Sequence, residues 1–184
     1  MTVTHAAPRL KASGRAFAQI SEFHPELTAF RRDLHAHPEL GFEEVYTAAR
    51  VKESLQVCGV DAIHTGIGKT GLVATIKGRG GNSHKMVGLR ADMDALPMQE
   101  HNKFPHASIH AGRMHACGHD GHTTMLLGGA TLLSRQPDFN GTVHFIFQPG
   151  EEGDGGARFM IDQGVTDGVD AAFALQRREG ANRR

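Results

Sequence analysis

The chain is poor in cysteine: Cys58 and Cys117 are the only two among 184 residues. Two thiols are too few for a disulfide framework, and they suit a reducing compartment. Net charge is missing too, because 20 basic side chains are matched by 20 acidic ones. With a pI near 7.2, that balance argues against a surface built to grip phosphate backbone or an acidic membrane face. Neither nucleic acid nor a membrane is expected as a partner. No apolar run approaches the roughly 18 residues that a membrane span requires. The opening stretch, MTVTHAAPRLKASGRAFAQI, lacks the compact hydrophobic segment of a secretory signal. Arg9, Lys11 and Arg15 precede the first acid, Glu22, a faint likeness to an organelle presequence, but an irregular N-terminal tail over residues 1–24 is the better reading. A cytoplasmic protein is expected. No internal repeat or low-complexity tract is visible.

What remains is ordinary globular material. The 39% of hydrophobic residues together with 23 glycines bring the apolar share to about half, the norm for folded domains. The length fits one domain. Pro25 to Ala36 has helical spacing, with Leu27, Phe30 and Leu34 on one stripe. A second helix is predicted from about Glu43 to Val57, with acids in its first turn and Gly59 as its stop. Strands are predicted over Val60–His64, Leu72–Lys77 and Met86–Arg90, each near glycine. The stretch from Asp92 to Gly118 is polar and irregular, as functional loops of that length often are. A helix follows from about Asp120 to Arg135, with an apolar face of Met125, Leu126, Leu127, Ala130 and Leu133. Thr142–Phe147 is a buried-strand candidate, Gly156–Gln163 a short helix and Val169–Leu175 a last strand. Strands alternating with helices predict an α/β sheet covered by helices.

Gly66-Ile67-Gly68-Lys69-Thr70-Gly71 imitates a dinucleotide-binding glycine pattern. Such a loop must open a helix, whose N-terminus meets the pyrophosphate. Here it opens the strand-like LVATIK, so the segment reads as a turn between strands.

Six of the 13 histidines lie between His101 and His122. In the extended stretch Met114-His115-Ala116-Cys117-Gly118-His119, alternate side chains point the same way, so Cys117 and His119 can converge on one ion. Thiolate and imidazole suit zinc or another borderline divalent metal. Asp120 and His122 could orient such ligands, and Asp120 could equally cap the following helix. Glu151 and Glu152 lie just past the strand TVHFIF, where open α/β sheets place their ligands. Adjacent glutamates diverge, so one can bind a metal while its neighbour reaches water. Asp92, at the end of MVGLR, could orient a ligand, bind metal directly, or only cap a turn.

These segments together resemble the metal-dependent amidohydrolases that include hippurate hydrolase, N-acyl-amino-acid hydrolases and plant auxin-conjugate hydrolases, a branch of the dinuclear aminoacylase/carboxypeptidase group. The match runs through RRDLHAHPELGFEE, GIGKTG, RADMDALPMQE, MHACGHDGHTTMLLGGA and VHFIFQPGEEG, in the family's order. The resemblance implies a three-layer α/β/α zinc-exopeptidase-like catalytic domain, present as its N-terminal half over residues 25–175, without the lid and dimerisation domain. It makes Cys117, His119 and Glu152 metal ligands and Glu151 the general base, with Asp92 an orienting residue of the catalytic set. It implies zinc or manganese, two ions in a full-length site and one or fewer here. The implied substrate is a small N-acyl amino acid, and full-length relatives are expected to be homo-oligomers. Gln176 stands where the family carries a further histidine ligand. Four arginines in the last eight residues read as a divergent basic tail over 176–184, with a shift of reading frame as its expected origin. A metal-binding fragment without turnover is the second expectation.

Overall fold

The computed structural model describes residues 14–174 and 176. Helix α1 (Gly14–Ala36) begins earlier than its sequence stripe suggests, so residues 14–24, read above as tail, are helical. The apolar stripe continues back from Leu27 through Phe23 to Ile20, and Phe23, Phe30 and Leu34 are buried. Pro25 lies inside the helix; an interior proline costs about 3 kcal/mol, which burial of large apolar side chains at ~1.5–3 kcal/mol each can offset.

Helix α2 (Val45–Cys58) ends on Gly59 in the left-handed region, at φ 74° and ψ 43°. Its acids precede the first turn. The open N–H groups of Tyr46 and Thr47 donate instead to the carboxylate of Glu39, at 2.9 and 2.8 Å, satisfying donors that every helix start leaves free.

Five strands follow: β1 (Ala62–Ile67), β2 (Gly71–Lys77), β3 (Met86–Asp92), β4 (Thr142–Gln148) and β5 (Ala171–Ala174), in the order β1-β2-β4-β3-β5. The sheet is mixed. β2 pairs antiparallel with both β1 and β4, and β3 runs parallel to β4 and β5. The first strand lies slightly later than its glycine boundaries predict, and the GIGKTG segment is the turn of the β1–β2 hairpin. Helix α3 (His119–Arg135) makes the crossover from β3 to β4, and the short α4 (Gly156–Asp162) follows β4.

Alternation along β4 divides the core. Phe145 and Phe147 join Leu72, Ala74 and Ile76 beneath Leu34, Val51, Leu55, Leu126, Leu127 and Ala130 of the first three helices. Ile146 faces the other way, with Val73 and Met160 of α4. Helices therefore lie on both faces of the sheet. Met125 is an exception to the predicted apolar face of α3: it is 53% exposed, because it borders a groove between α1 and α3 rather than the sheet. β5 is an edge strand with all four residues exposed. Residues 1–13, Leu175 and the basic tail beyond Gln176 lie outside the described residues.

Candidate metal centre

The parallel pairing of β3 and β4 sets Asp92 directly beside Gln148, so both strands end at one rim. Arg90 ties these ends together: its Nε donates to Gln148 at 2.8 Å and its Nη1 to Asp92 at 2.7 Å. The start of α3 docks on the same rim, where the Thr123 hydroxyl donates to the Asp92 carbonyl at 2.7 Å. Gly118, at φ 81° and ψ 23°, turns the extended ligand segment into that helix, in a conformation that glycine adopts without a side-chain clash.

Cys117, His119 and Glu152 come together, their ligand atoms all within 4.8 Å of one another. The Nδ1 of His119 lies 3.2 Å from Asp94 Oδ1. A carboxylate there accepts the Nδ1 proton and leaves a lone pair on Nε2. That Nε2 is buried without a hydrogen-bond partner. It stands 3.7 Å from Glu152 and 3.8 Å from Glu151. A buried Nε2 without a partner, 3.7–3.8 Å from two carboxylates, is an arrangement that a divalent cation would complete. Thiolate, imidazole and carboxylate are a fitting donor set for such an ion.

The electrostatics agree. Burial opposes a charge on His119, yet the hydrogen bond it donates to Asp94 and the charges of Asp92, Asp94 and Glu151 outweigh it and raise its pKa. Burial likewise opposes the Asp94 carboxylate, and its bonds to His119 and to the backbone of Glu152 and Glu151 still hold its pKa low. Burial of the sulfur, the hydrogen bond to Glu152 and the nearby carboxylates push the Cys117 thiol up to about 12. The cluster is short of positive charge.

A second set, Asp92, His119 and His122, also lies within 4.8 Å. Its carboxylate is held by Arg90 at 2.7 Å and by His122 Nδ1 at 2.7 Å, while His122 Nε2, like that of His119, is buried without a hydrogen-bond partner. This bears on the reading of Asp92 as the orienting residue. Asp92 orients His122 and stands 3.7 Å from His119 Nε2, whereas Asp94 holds His119. Asp94 lies two residues beyond Asp92 in an extended segment, where side chains share a face, and that spacing is the sequence signal for it. Asp120 does not cap α3: Gly118 occupies that place, and Asp120 is buried against His35 and Arg31. Gln176 lines the groove beside Asp120 and His122.

An α/β domain with a cysteine, a histidine and a glutamate gathered near the carboxyl ends of its parallel strands presents a candidate metal site. The chain belongs to peptidase family M20/M25/M40, whose model matches residues 88–182. It is 46% identical over 154 residues to the N-acetylcysteine deacetylase of Bacillus subtilis, a match covering 83% of this chain and 40% of that protein. It is 46% identical over 157 residues to the hippurate hydrolase of Campylobacter jejuni, covering 85% of this chain and 40% of that one. The YXEP protein of Bacillus subtilis, described as a dinuclear metal-binding peptidase of the M20 family, superposes with a TM-score of 0.81 at 44% identity, over 86% of this chain and 44% of that chain. The chain thus spans about 40% of the length of the curated relatives it matches. Among the described residues, no helix is long and apolar enough to cross a membrane.

Proposed function

We propose that this chain carries the metal centre of an amidohydrolase that cleaves N-acyl amino acids, hippurate-like substrates among them. The observation that carries the proposal is the unpartnered, buried Nε2 of His119, aimed at Glu151 and Glu152 and sharing a donor set with Cys117. The names of the relatives point to the substrate class.

In this reading Cys117, His119 and Glu152 hold the ion, zinc or manganese. A divalent ion bound there polarises an amide carbonyl and lowers the pKa of water from about 15.7 toward about 7. Glu151 is the general base. Its side chain is 31% exposed, open to water and to an incoming amide, while its neighbour Glu152 is turned to the ligand set. The Glu151 carboxylate takes a proton from the attacking water and passes it to the nitrogen of the departing amine, a role typically contributing about 10²–10⁴-fold. Asp94 keeps the proton on Nδ1 of His119, so that Nε2 stays a ligand. Both cysteines are free thiols, which suits the reducing cytoplasm.

A second reading, metal binding without turnover, draws on the donor count: among the described residues the Cys117 set offers three protein groups, able to hold at most one ion weakly. The test is one preparation and two measurements. The purified 184-residue chain is assayed for bound zinc and manganese and for amino acid released from hippurate and N-acetylcysteine. Hydrolysis lost in Glu151→Gln supports the enzyme. Binding without hydrolysis supports the second reading, and no divalent ion bound in the parent sinks both.

A further inference from the structure

Glu44 precedes α2 and is fully buried. Its carboxylate reaches across the fold to a partner 106 residues away, accepting the backbone N–H of Gly150 at 2.8 Å. Its other oxygen accepts the hydroxyl of Thr70. A carboxylate withdrawn from water persists only where hydrogen bonds replace its hydration, and these two bonds link α2, the β1–β2 turn and the loop after β4.

That loop carries the glutamate pair. Gly150 immediately precedes Glu151, and the N–H of Glu152 donates to Asp94 Oδ2 at 2.8 Å. Glu151 is therefore bracketed by two acids that hold its neighbours' amides, Glu44 on one side and Asp94 on the other. The loop also closes on itself, through Gly156 N–H to the Gly150 carbonyl at 3.0 Å. The glycine-rich turn is built against it. Gly68 N–H donates to Gln163 at 2.9 Å, and Lys69 sits over the Phe42 ring at 4.1 Å from its centroid. Phe42 in turn meets Phe159 of α4 edge-on at 5.3 Å. The GIGKTG segment, the turn of the β1–β2 hairpin, has a structural purpose: it presents the Thr70 hydroxyl to Glu44.

We propose that Glu44 is a positioning residue for the metal centre: by holding Gly150 it places the Glu151 and Glu152 carboxylates relative to His119, and Thr70 places Glu44. This rests on the metal reading given above.

The test uses the 184-residue chain and its Glu44→Ala, Glu44→Gln and Thr70→Val variants, with two readouts. The first is hydrogen exchange at the amides of residues 150–153 without metal. The second is cobalt(II) titration, followed by the absorption of a Cys117 thiolate–cobalt bond. Glu44→Ala is expected to speed exchange across that loop by about tenfold or more, as local opening does, while β2 and β4 stay protected. It is expected to weaken cobalt binding about 10–100-fold, the usual cost of losing a group that supports a ligand. Glu44→Gln retains an oxygen for Gly150 and should restore most of both. Thr70→Val should show a smaller loss of each and keeps the test alive if Glu44→Ala does not fold. Unchanged exchange and unchanged affinity in a folded variant overturn the proposal. Faster exchange with unchanged affinity also overturns it, leaving Glu44 a role in stability alone. A parent chain that takes up no cobalt sinks the metal reading; the tether is then judged on exchange, where an unchanged loop overturns it.

Discussion

Asp94 grips His119 at Nδ1, 3.2 Å from its Oδ1, and with its other oxygen takes the backbone N–H of Glu152 at 2.8 Å. One buried carboxylate thus orients the ring of one proposed ligand and anchors the backbone of another. Asp94→Ala is expected to weaken zinc binding about 10–100-fold, measured by competition with a chromophoric chelator. An affinity within about twofold of the parent, well below that range, would mean that His119 finds its orientation elsewhere.

The two glutamates separate by what they lose. Glu151→Gln should leave metal content nearly intact and abolish hydrolysis, since an amide cannot carry the proton. Glu152→Gln should release metal. Elemental analysis of both variants beside an N-acyl amino acid assay decides it, and the opposite pattern exchanges their roles.

His35 supplies a pH dependence away from the ligands. Its Nδ1 lies 2.8 Å from Asp120 and its Nε2 3.2 Å from Glu100. The bond to Asp120 outweighs burial and raises the His35 pKa above 6.5. For both carboxyl groups burial is the largest influence and acts upward, yet their hydrogen bonds and charge partners lower the pKa of each. A raised histidine stabilises the fold fully below its unfolded pKa, and that contribution is lost as pH rises through the folded value. The lowered carboxylates contribute above their unfolded values and lose it as pH falls. The network is therefore strongest in mildly acidic solution. Thermal melts of the metal-free parent and His35→Gln should differ more at about pH 5.5 than in alkaline solution above the raised folded pKa of His35, where its proton is lost. An equal difference at both would show that His35 acts through packing alone.

Gly156 shows how tightly the glutamate loop is wound. A Cβ there would fall 1.7 Å from the carbonyl oxygen of Pro149, which is backbone and cannot swing away. Gly156→Ala should destabilise the chain by about 1–3 kcal/mol, as overpacking does, seen as an earlier midpoint in urea. A midpoint equal to the parent's would show that the loop has room to move.

Cys117 and His119 could be read from the sequence as a pair because they lie two residues apart, although the left-handed turn at Gly118 and not an extended run sets them side by side, and Glu151 and Glu152 because they follow a buried strand. Leu72–Lys77, Thr142–Phe147 and the helix from His119 to Arg135 were legible for a similar reason, since periodicity is local. The start of α1 was not, because the proline rule conflicts with a stripe whose weight depends on what it packs against. Asp94 and Glu44 were not visible as site residues either. Their partners lie 25 and 106 residues away, and nothing in their own neighbourhoods distinguishes an orienting acid from a turn cap. The sequence by itself determined the donor types, their local spacing and the alternation of strand and helix, all of which are settled within a few residues. Only the tertiary structure decided which acid serves which ligand, because that depends on the parallel register of β3 with β4 and on a buried carboxylate finding its hydrogen-bond donors across the fold.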